Sequence, residues 1–197
     1  MNNRTKTLLG AVAFAVLLGV AVFAYNTLSR TVAPPVNLDA PAEGSPSENA
    51  APAEKIAAPD FTVLDAQGSA VSLSDLIGKP IVLNFWASWC PPCKAEMPDF
   101  NAVYEELGED VIFVMVDAVD GQRETADSGK QHIADNEFTF PVYYDTEQEA
   151  ISAYGASSLP TTYFIDKDGY VVTGARGTLS QANLRKGIAL ITQDPAS

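Results

Sequence analysis

The sequence predicts an α/β domain with a mixed central sheet, carried behind one apolar segment of membrane-spanning length. Three observations predict it. Strand-like and helix-like runs alternate from about residue 58 to the C-terminus. Two of the strand-like runs, Ile81-Val-Leu-Asn-Phe-Trp86 and Val111-Ile-Phe-Val-Met-Val116, are nearly continuous in apolar residues, as strands covered on both faces require. The last strand pair is split by Asp166-Lys-Asp-Gly169, a hairpin turn, so an antiparallel pair follows parallel strands joined by helices.

Residues 1–30 are read as a transmembrane anchor. Arg4 and Lys6 precede an apolar run from Leu8 to Tyr25, about 18 residues and just long enough to span a bilayer as a helix. The basic residues on its N-terminal side keep that end in the cytoplasm and send the rest of the chain outside. A cleaved signal peptide, with Val22 and Ala24 as the small residues before a cut, is the competing reading; the length of the run favours the anchor. No cysteine follows the run, which excludes a lipoprotein anchor. Residues 31–57 are rich in Ala, Pro, Glu and Ser without apolar periodicity, and six prolines (34, 35, 41, 46, 52 and 59) lie in or beside them. Such a segment reads as a semi-rigid spacer. Residues 58–197 form the folded domain.

Within that domain, Phe61-Thr-Val-Leu-Asp65 and Ala70-Val-Ser-Leu73 flank Ala66-Gln-Gly-Ser69 as an N-terminal hairpin. A helix begins at the cysteines and runs through Leu107, with Phe100, Val103, Tyr104 and Leu107 on one buried face and Pro98 inside it as a kink. Residues 131–136 fit a short helix, 140–144 an extra strand and 147–154 another helix. Strands at 161–165 and 170–175 and a closing helix over 180–191, with Ser180 as its N-cap, complete the pattern.

Composition narrows the function. The 197 residues include 25 acidic and 12 basic side chains, a net charge of −13, which argues against binding a phosphate backbone. Two cysteines and one histidine cannot build a four-cysteine zinc site or a multi-histidine centre. The cysteines stand as Cys90-Pro-Pro-Cys93, between a strand and a helix. That spacing lets the two sulfurs meet in a small ring. A helix N-terminus also stabilises a thiolate at Cys90 through unpaired N–H groups and partial positive charge. An inert disulfide and half of a zinc site are the bland alternatives; the zinc half lacks further ligands, and redox chemistry is the favoured reading.

The segment Asn84-Phe-Trp-Ala-Ser-Trp-Cys-Pro-Pro-Cys-Lys-Ala-Glu-Met-Pro98 resembles the active-site stretch of the thioredoxin superfamily. More closely, it resembles the membrane-tethered thiol–disulfide oxidoreductases of the TlpA and ResA type. Ser158-Leu-Pro-Thr-Thr-Tyr-Phe-Ile-Asp166 is similar to that superfamily's second signature. The resemblance runs from about Ala58 to the C-terminus and includes a strand–helix insertion between Asp117 and Asp145. It implies a thioredoxin fold, with Cys90 as the exposed attacking thiolate and Cys93 as the resolving cysteine. It also implies that Pro160 is cis and helps form the substrate groove, and that Trp89 is an apolar contact beside the disulfide. Glu96 matches an acid of this family that accepts the Cys93 proton; its alternative is a solvated acid in the helix's first turns.

Two departures bear on the chemistry. Asn84 stands where cytosolic thioredoxins place a buried Asp, and Asn cannot titrate, leaving Glu96 or water as proton acceptor. Neither Pro91 nor Pro92 has a backbone N–H, so a Cys90 thiolate relies chiefly on the Cys93 amide. A less acidic Cys90 favours the disulfide form and makes the pair reducing. His132 is expected in a surface role. Copper-delivery relatives need a three-residue cysteine spacing, and peroxiredoxins a Thr where this chain has Ala87.

The resemblance therefore implies an extracytoplasmic protein disulfide reductase, needing no cofactor and acting on exported proteins, apocytochrome c among the candidates. A membrane thiol donor of the CcdA or DsbD kind is expected to restore its dithiol. A disulfide-forming oxidant on the same fold, and a tethered binding module with a structural Cys90–Cys93 clasp, are the rival readings. The expected protein is a monomer, single-pass in the cell membrane.

Overall fold

Every residue of the strand Ile81–Trp86 (β4) is buried, so both its faces must meet apolar partners. A computed structural model describes residues 55–193; the expected anchor and nearly all of the spacer, residues 1–54, lie outside the described residues. Among the described residues no helix is long and apolar enough to cross a membrane.

Seven further strands surround β4: Ile56–Ala57 (β1), Thr62–Leu64 (β2), Ala70–Ser72 (β3), Ile112–Asp117 (β5), Val142–Tyr144 (β6), Thr161–Ile165 (β7) and Tyr170–Arg176 (β8). The sheet order is β1-β8-β7-β4-β5-β6-β2-β3. Pairing is parallel between β4 and β5 and between β5 and β6, and antiparallel elsewhere. Among the described residues four α-helices cover it: Pro91–Leu107 (α1), Ala126–Asp135 (α2), Glu149–Tyr154 (α3) and Gln181–Thr192 (α4). This is the mixed-sheet α/β arrangement expected from sequence.

The period-two alternation of β4 divides the core. Val82 and Trp86 face a cluster containing Met97, Phe100 and Val103 of α1 and Leu184, Ile188 and Ile191 of α4. Ile81, Leu83 and Phe85 face a second cluster with Phe61 and Val63 of the hairpin and Ala150 and Tyr154 of α3. Asn84 falls between Val82 and Trp86 in that alternation and is fully buried.

The hairpin turn is closed by Asp65, whose Oδ1 accepts from the amides of Gln67 and Ser69, with Gly68 at φ +81°. The β7–β8 turn repeats the device. Asp166 Oδ1 accepts from the amides of Asp168 and Tyr170, and Gly169 takes φ +85°. The inserted strand β6 links the hairpin to the central sheet through the Leu64–Tyr144 register pair.

Two boundaries differ from expectation. Helix α2 starts at Ala126 rather than Gln131, because Thr125 and Ser128 form a reciprocal capping box that initiates it over weak helix formers. The sheet also takes in Ile56 and Ala57, read from sequence as the end of the spacer: they pair with Val171 and Tyr170. Helix α1 continues through Pro98 to Leu107 as one element.

Gly187 tests the packing of α4 on the sheet, since a Cβ there would be driven into the ring of Phe164, itself fully buried. Gly187→Ala is expected to destabilise by about 1–3 kcal/mol, despite alanine's better helix propensity. A urea midpoint equal to or above the wild-type value would show that the helix can move away.

Candidate active site

Strand β4 ends at Trp86, and the chain turns through Ala87, Ser88 and Trp89 into α1. The Cys90 amide closes that turn on the Ala87 carbonyl at 3.1 Å. Cys90 is the N-cap of α1, in extended geometry, and Pro91 and Pro92 occupy the first helical positions. Prolines fit there because the missing N–H groups would have no intrahelical partner. The first free amide is that of Cys93, which donates to Cys90 Sγ at 3.3 Å. Cys90 and Cys93 are joined as a disulfide with Cα atoms 5.3 Å apart.

Cys90 was expected to be exposed. It is only 2% exposed, and it lines a cleft of about 420 Å³, whereas Cys93 is fully buried behind it. The cover comes from the walls of the cleft. Trp89, Pro91 and Pro92 form one side, and residues 156–159 the other. Trp89 keeps 37% exposure, so it is a rim contact beside the disulfide and not a core residue. The Arg123 guanidinium lies over its indole face, 3.7 Å from the ring centroid. The Leu159–Pro160 bond is cis, as expected; Pro160 itself is buried, and its carbonyl accepts from the Gly177 amide at 2.9 Å. Ser157, Ser158 and Leu159, just before it, are the residues that reach the cleft.

Glu96 is 1% exposed, which removes the solvated alternative. Its Oε1 accepts from Asn84 Nδ2 at 2.9 Å and its Oε2 from the Leu179 amide at 2.7 Å. Asn84 Nδ2 also donates to Thr162 Oγ1 at 2.9 Å, while Asn84 Oδ1 has no partner among the described residues. Burial pushes the Glu96 carboxyl up to about 7, although its two N–H donors pull the other way.

His132 is half-buried, with its ring 5.9 Å from that of Trp86 and 6.2 Å from that of Phe138, centroid to centroid. The surface role expected for it gives way to packing against the core. Burial, and then the charge of Lys94, lower its pKa. Among the described residues, no group of three or more His, Cys, Asp and Glu side chains is arranged to hold a metal ion.

Sequence reasoning missed two fully buried acids beside the active-site turn, Asp117 and Glu124. Glu124 Oε2 accepts from both the amide and the hydroxyl of Ser88, at 2.9 and 2.8 Å. Among the described residues Asp117 receives no donor, and burial together with the neighbouring Glu124 pushes its carboxyl up to about 9. The available signal was positional: Asp117 ends an apolar strand at its carboxyl end, where α/β sheets gather functional groups.

Residues 55–173 match the AhpC/TSA family. The chain is 37% identical over 135 residues to thiol-disulfide oxidoreductase ResA of Bacillus thuringiensis subsp. konkukian, covering 68% of this chain and 76% of the relative. It is 35% identical over 143 residues to the ResA of Bacillus subtilis, covering 68% and 73%. Among solved structures it is similar to StoA from Bacillus subtilis, with TM-score 0.58 and 28% identity over 66% of this chain and 98% of the other. It is also similar to a thiol:disulfide interchange protein of the thioredoxin family from Chlorobium tepidum, with TM-score 0.62 and 27% identity over 72% and 99%.

The raised Glu96 pKa fixes a direction for stability. The folded chain binds the proton more tightly than the unfolded chain, so the contribution is complete below pH 4.5 and lost as pH rises through about 7. The loss is on the order of 3 kcal/mol. In Glu96→Gln a flip of the Asn84 amide would offer its unpartnered oxygen to the new Nε2. Urea titrations of the oxidised protein should then lose most of this decline between pH 4.5 and 7; an unchanged slope would assign it elsewhere.

Proposed function

Because the chain belongs to the AhpC/TSA family of the thioredoxin superfamily, and with its ResA relatives is a thiol–disulfide oxidoreductase, we propose that it reduces disulfides of exported proteins outside the cytoplasm. The observation that carries the reducing direction is the poor supply of donors at Cys90. Its sulfur accepts one backbone N–H, from Cys93, and the two intervening residues are prolines. A thiolate with few donors holds its proton more tightly, which favours the disulfide form of the enzyme and the reduced form of the client.

In the mechanism, the Cys90 thiolate attacks one sulfur of a client disulfide in the cleft. A mixed disulfide forms, and the other client sulfur leaves as a thiolate that takes up a proton. Cys93 gives its proton to the Glu96 carboxylate, one turn further along α1, and attacks the Cys90 sulfur. The client's second thiolate leaves, two electrons have passed to the client, and the enzyme is left as the Cys90–Cys93 disulfide. A carboxyl poised near 7 takes up and releases a proton readily at neutral pH. Pro160 sets the wall that faces the disulfide, and Trp89 forms the rim.

The same proposal places the domain on a single-pass anchor of residues 1–30, N-terminus cytoplasmic, with residues 31–57 as a spacer and the protein a monomer. Electrons come from a membrane thiol carrier of the CcdA or DsbD type. Apocytochrome c is one candidate client, whose haem-attachment cysteines must be reduced.

Equilibration of the full-length chain with a thiol buffer tests the direction. A Cys90–Cys93 potential near that of thioredoxin, about −270 mV, is expected; a value near that of DsbA, about −120 mV, would make the protein a disulfide donor. In cells, Cys93→Ser should accumulate mixed disulfides with clients and Cys90→Ser should not. Equal trapping by both variants would overturn the assignment of Cys90 as the attacking thiol.

A further inference from the structure

The loop after β5 grips the active-site turn at two consecutive residues. Glu124 takes both donors of Ser88, and Arg123 stacks on Trp89. The loop is closed on itself by one carboxylate: Asp120 Oδ1 accepts from the amides of Gln122, Arg123 and Glu124 at 2.7–2.9 Å. Beneath it Asp117 and Glu124 are both fully buried. Both carboxyls crowd the Cα of Gly129 in α2, where a Cβ would collide with Asp117 Oδ2 and lie 3.5 Å from Glu124 Oε1.

Among the described residues no salt bridge reaches either acid. Glu124 is bonded by hydroxyls and an amide, from Ser88 and from Ser128 Oγ at 3.1 Å. The other ionisable groups facing the pair are Asp120, Tyr144 and His132; Asp145 donates its amide to the Asp117 carbonyl at 3.0 Å. Lys130 is engaged over the Tyr144 ring and Lys94 bears on His132. Two bare carboxylates in such a dry site repel without solvent, and Asp117, which has no hydrogen-bond donor among the described residues, is the one that keeps its proton.

We propose that the loop of residues 120–124 is a proton-locked clamp on the active-site turn, with Glu124 the positioning residue and the proton on the buried Asp117 carboxyl the lock. While the proton is held, Ser88 and Trp89 are fixed and the rim of the cleft is preformed. When solvent hydroxide removes it, two like charges meet without solvent. The loop then opens and Trp89 loses its stacked cation. The consequence for clients rests on the reading of the cleft as the disulfide site; the clamp itself does not.

The test is a pH titration of tryptophan fluorescence on the oxidised full-length chain, where no thiol titrates and no client is needed. A transition centred near pH 9 is expected, following the Asp117 carboxyl, with far-UV circular dichroism unchanged. It should vanish in Asp117→Asn and in Glu124→Gln, each of which leaves a single acid at the site. It should also vanish in Trp89→Phe, since Trp86 is fixed in the core. A folded Asp117→Asn or Glu124→Gln protein that keeps the transition would overturn the clamp. So would a flat wild-type curve to pH 10, persistence in Trp89→Phe, or a transition that coincides with loss of circular dichroism. A reduction potential in the oxidising range would sink the proposed function and leave this titration untouched.

Discussion

One buried carboxyl ties together the segments that make the site. Glu96 reaches from α1 to Asn84 on the central strand and to the Leu179 amide just ahead of α4. Through Asn84 the connection continues to Thr162 in β7, two residues after the cis peptide bond. The cysteine helix, the central strand and the strand that follows the cis bond are thus joined by three hydrogen bonds in the dry core. The two bonds to Glu96 contribute about 1.5–3 kcal/mol each where its carboxyl is ionised, and the neutral one to Thr162 about 1 kcal/mol.

Sheet geometry explains why the pieces converge. Strands β4 and β5 are parallel, so both release their chains at the same end. The antiparallel β7 begins at that end, with Thr161 paired to Phe85. The turn into Cys90, the loop of residues 118–124 and the segment before Pro160 therefore crowd one edge of the sheet, the place where parallel α/β sheets gather ligands. The insertion contributes twice. Its strand β6 carries the hairpin on the sheet, and its leading loop meets Ser88 and Trp89.

Much of this was legible in the residues. The buried strands are continuous apolar runs, and no solvated loop competes for such a pattern. The Cys-Pro-Pro-Cys spacing and the strand before it placed the disulfide, and the missing amides at Pro91 and Pro92 foretold its single donor. The failures have a common cause. Asp117, Glu124 and the fully buried state of Glu96 depend on partners distant in sequence, and an acid read alone is expected in solvent. Helix α2 was placed late because Asp127, Ser128 and Gly129 are poor helix formers; its start rests on the Thr125–Ser128 side-chain exchange. The packing of His132 against Trp86 joins α2 to β4, a contact no local pattern encodes.

Glu96 and Asp117 share one core and differ in what surrounds them. Burial raises both carboxyls, so desolvation alone would make both permanent neutral acids. Glu96 is brought back to about 7 by the amides of Asn84 and Leu179, which stabilise its charged form. Asp117 has no such donors and faces a second carboxyl, which carries it on to about 9. Donor supply thus divides the labour. A carboxyl with two N–H partners gains and loses its proton around neutral pH. A carboxyl with none holds its proton through the same pH range and can serve only to keep its neighbour in place. The polypeptide obtains a mobile proton and a fixed one from the same functional group, by the placement of two amide donors.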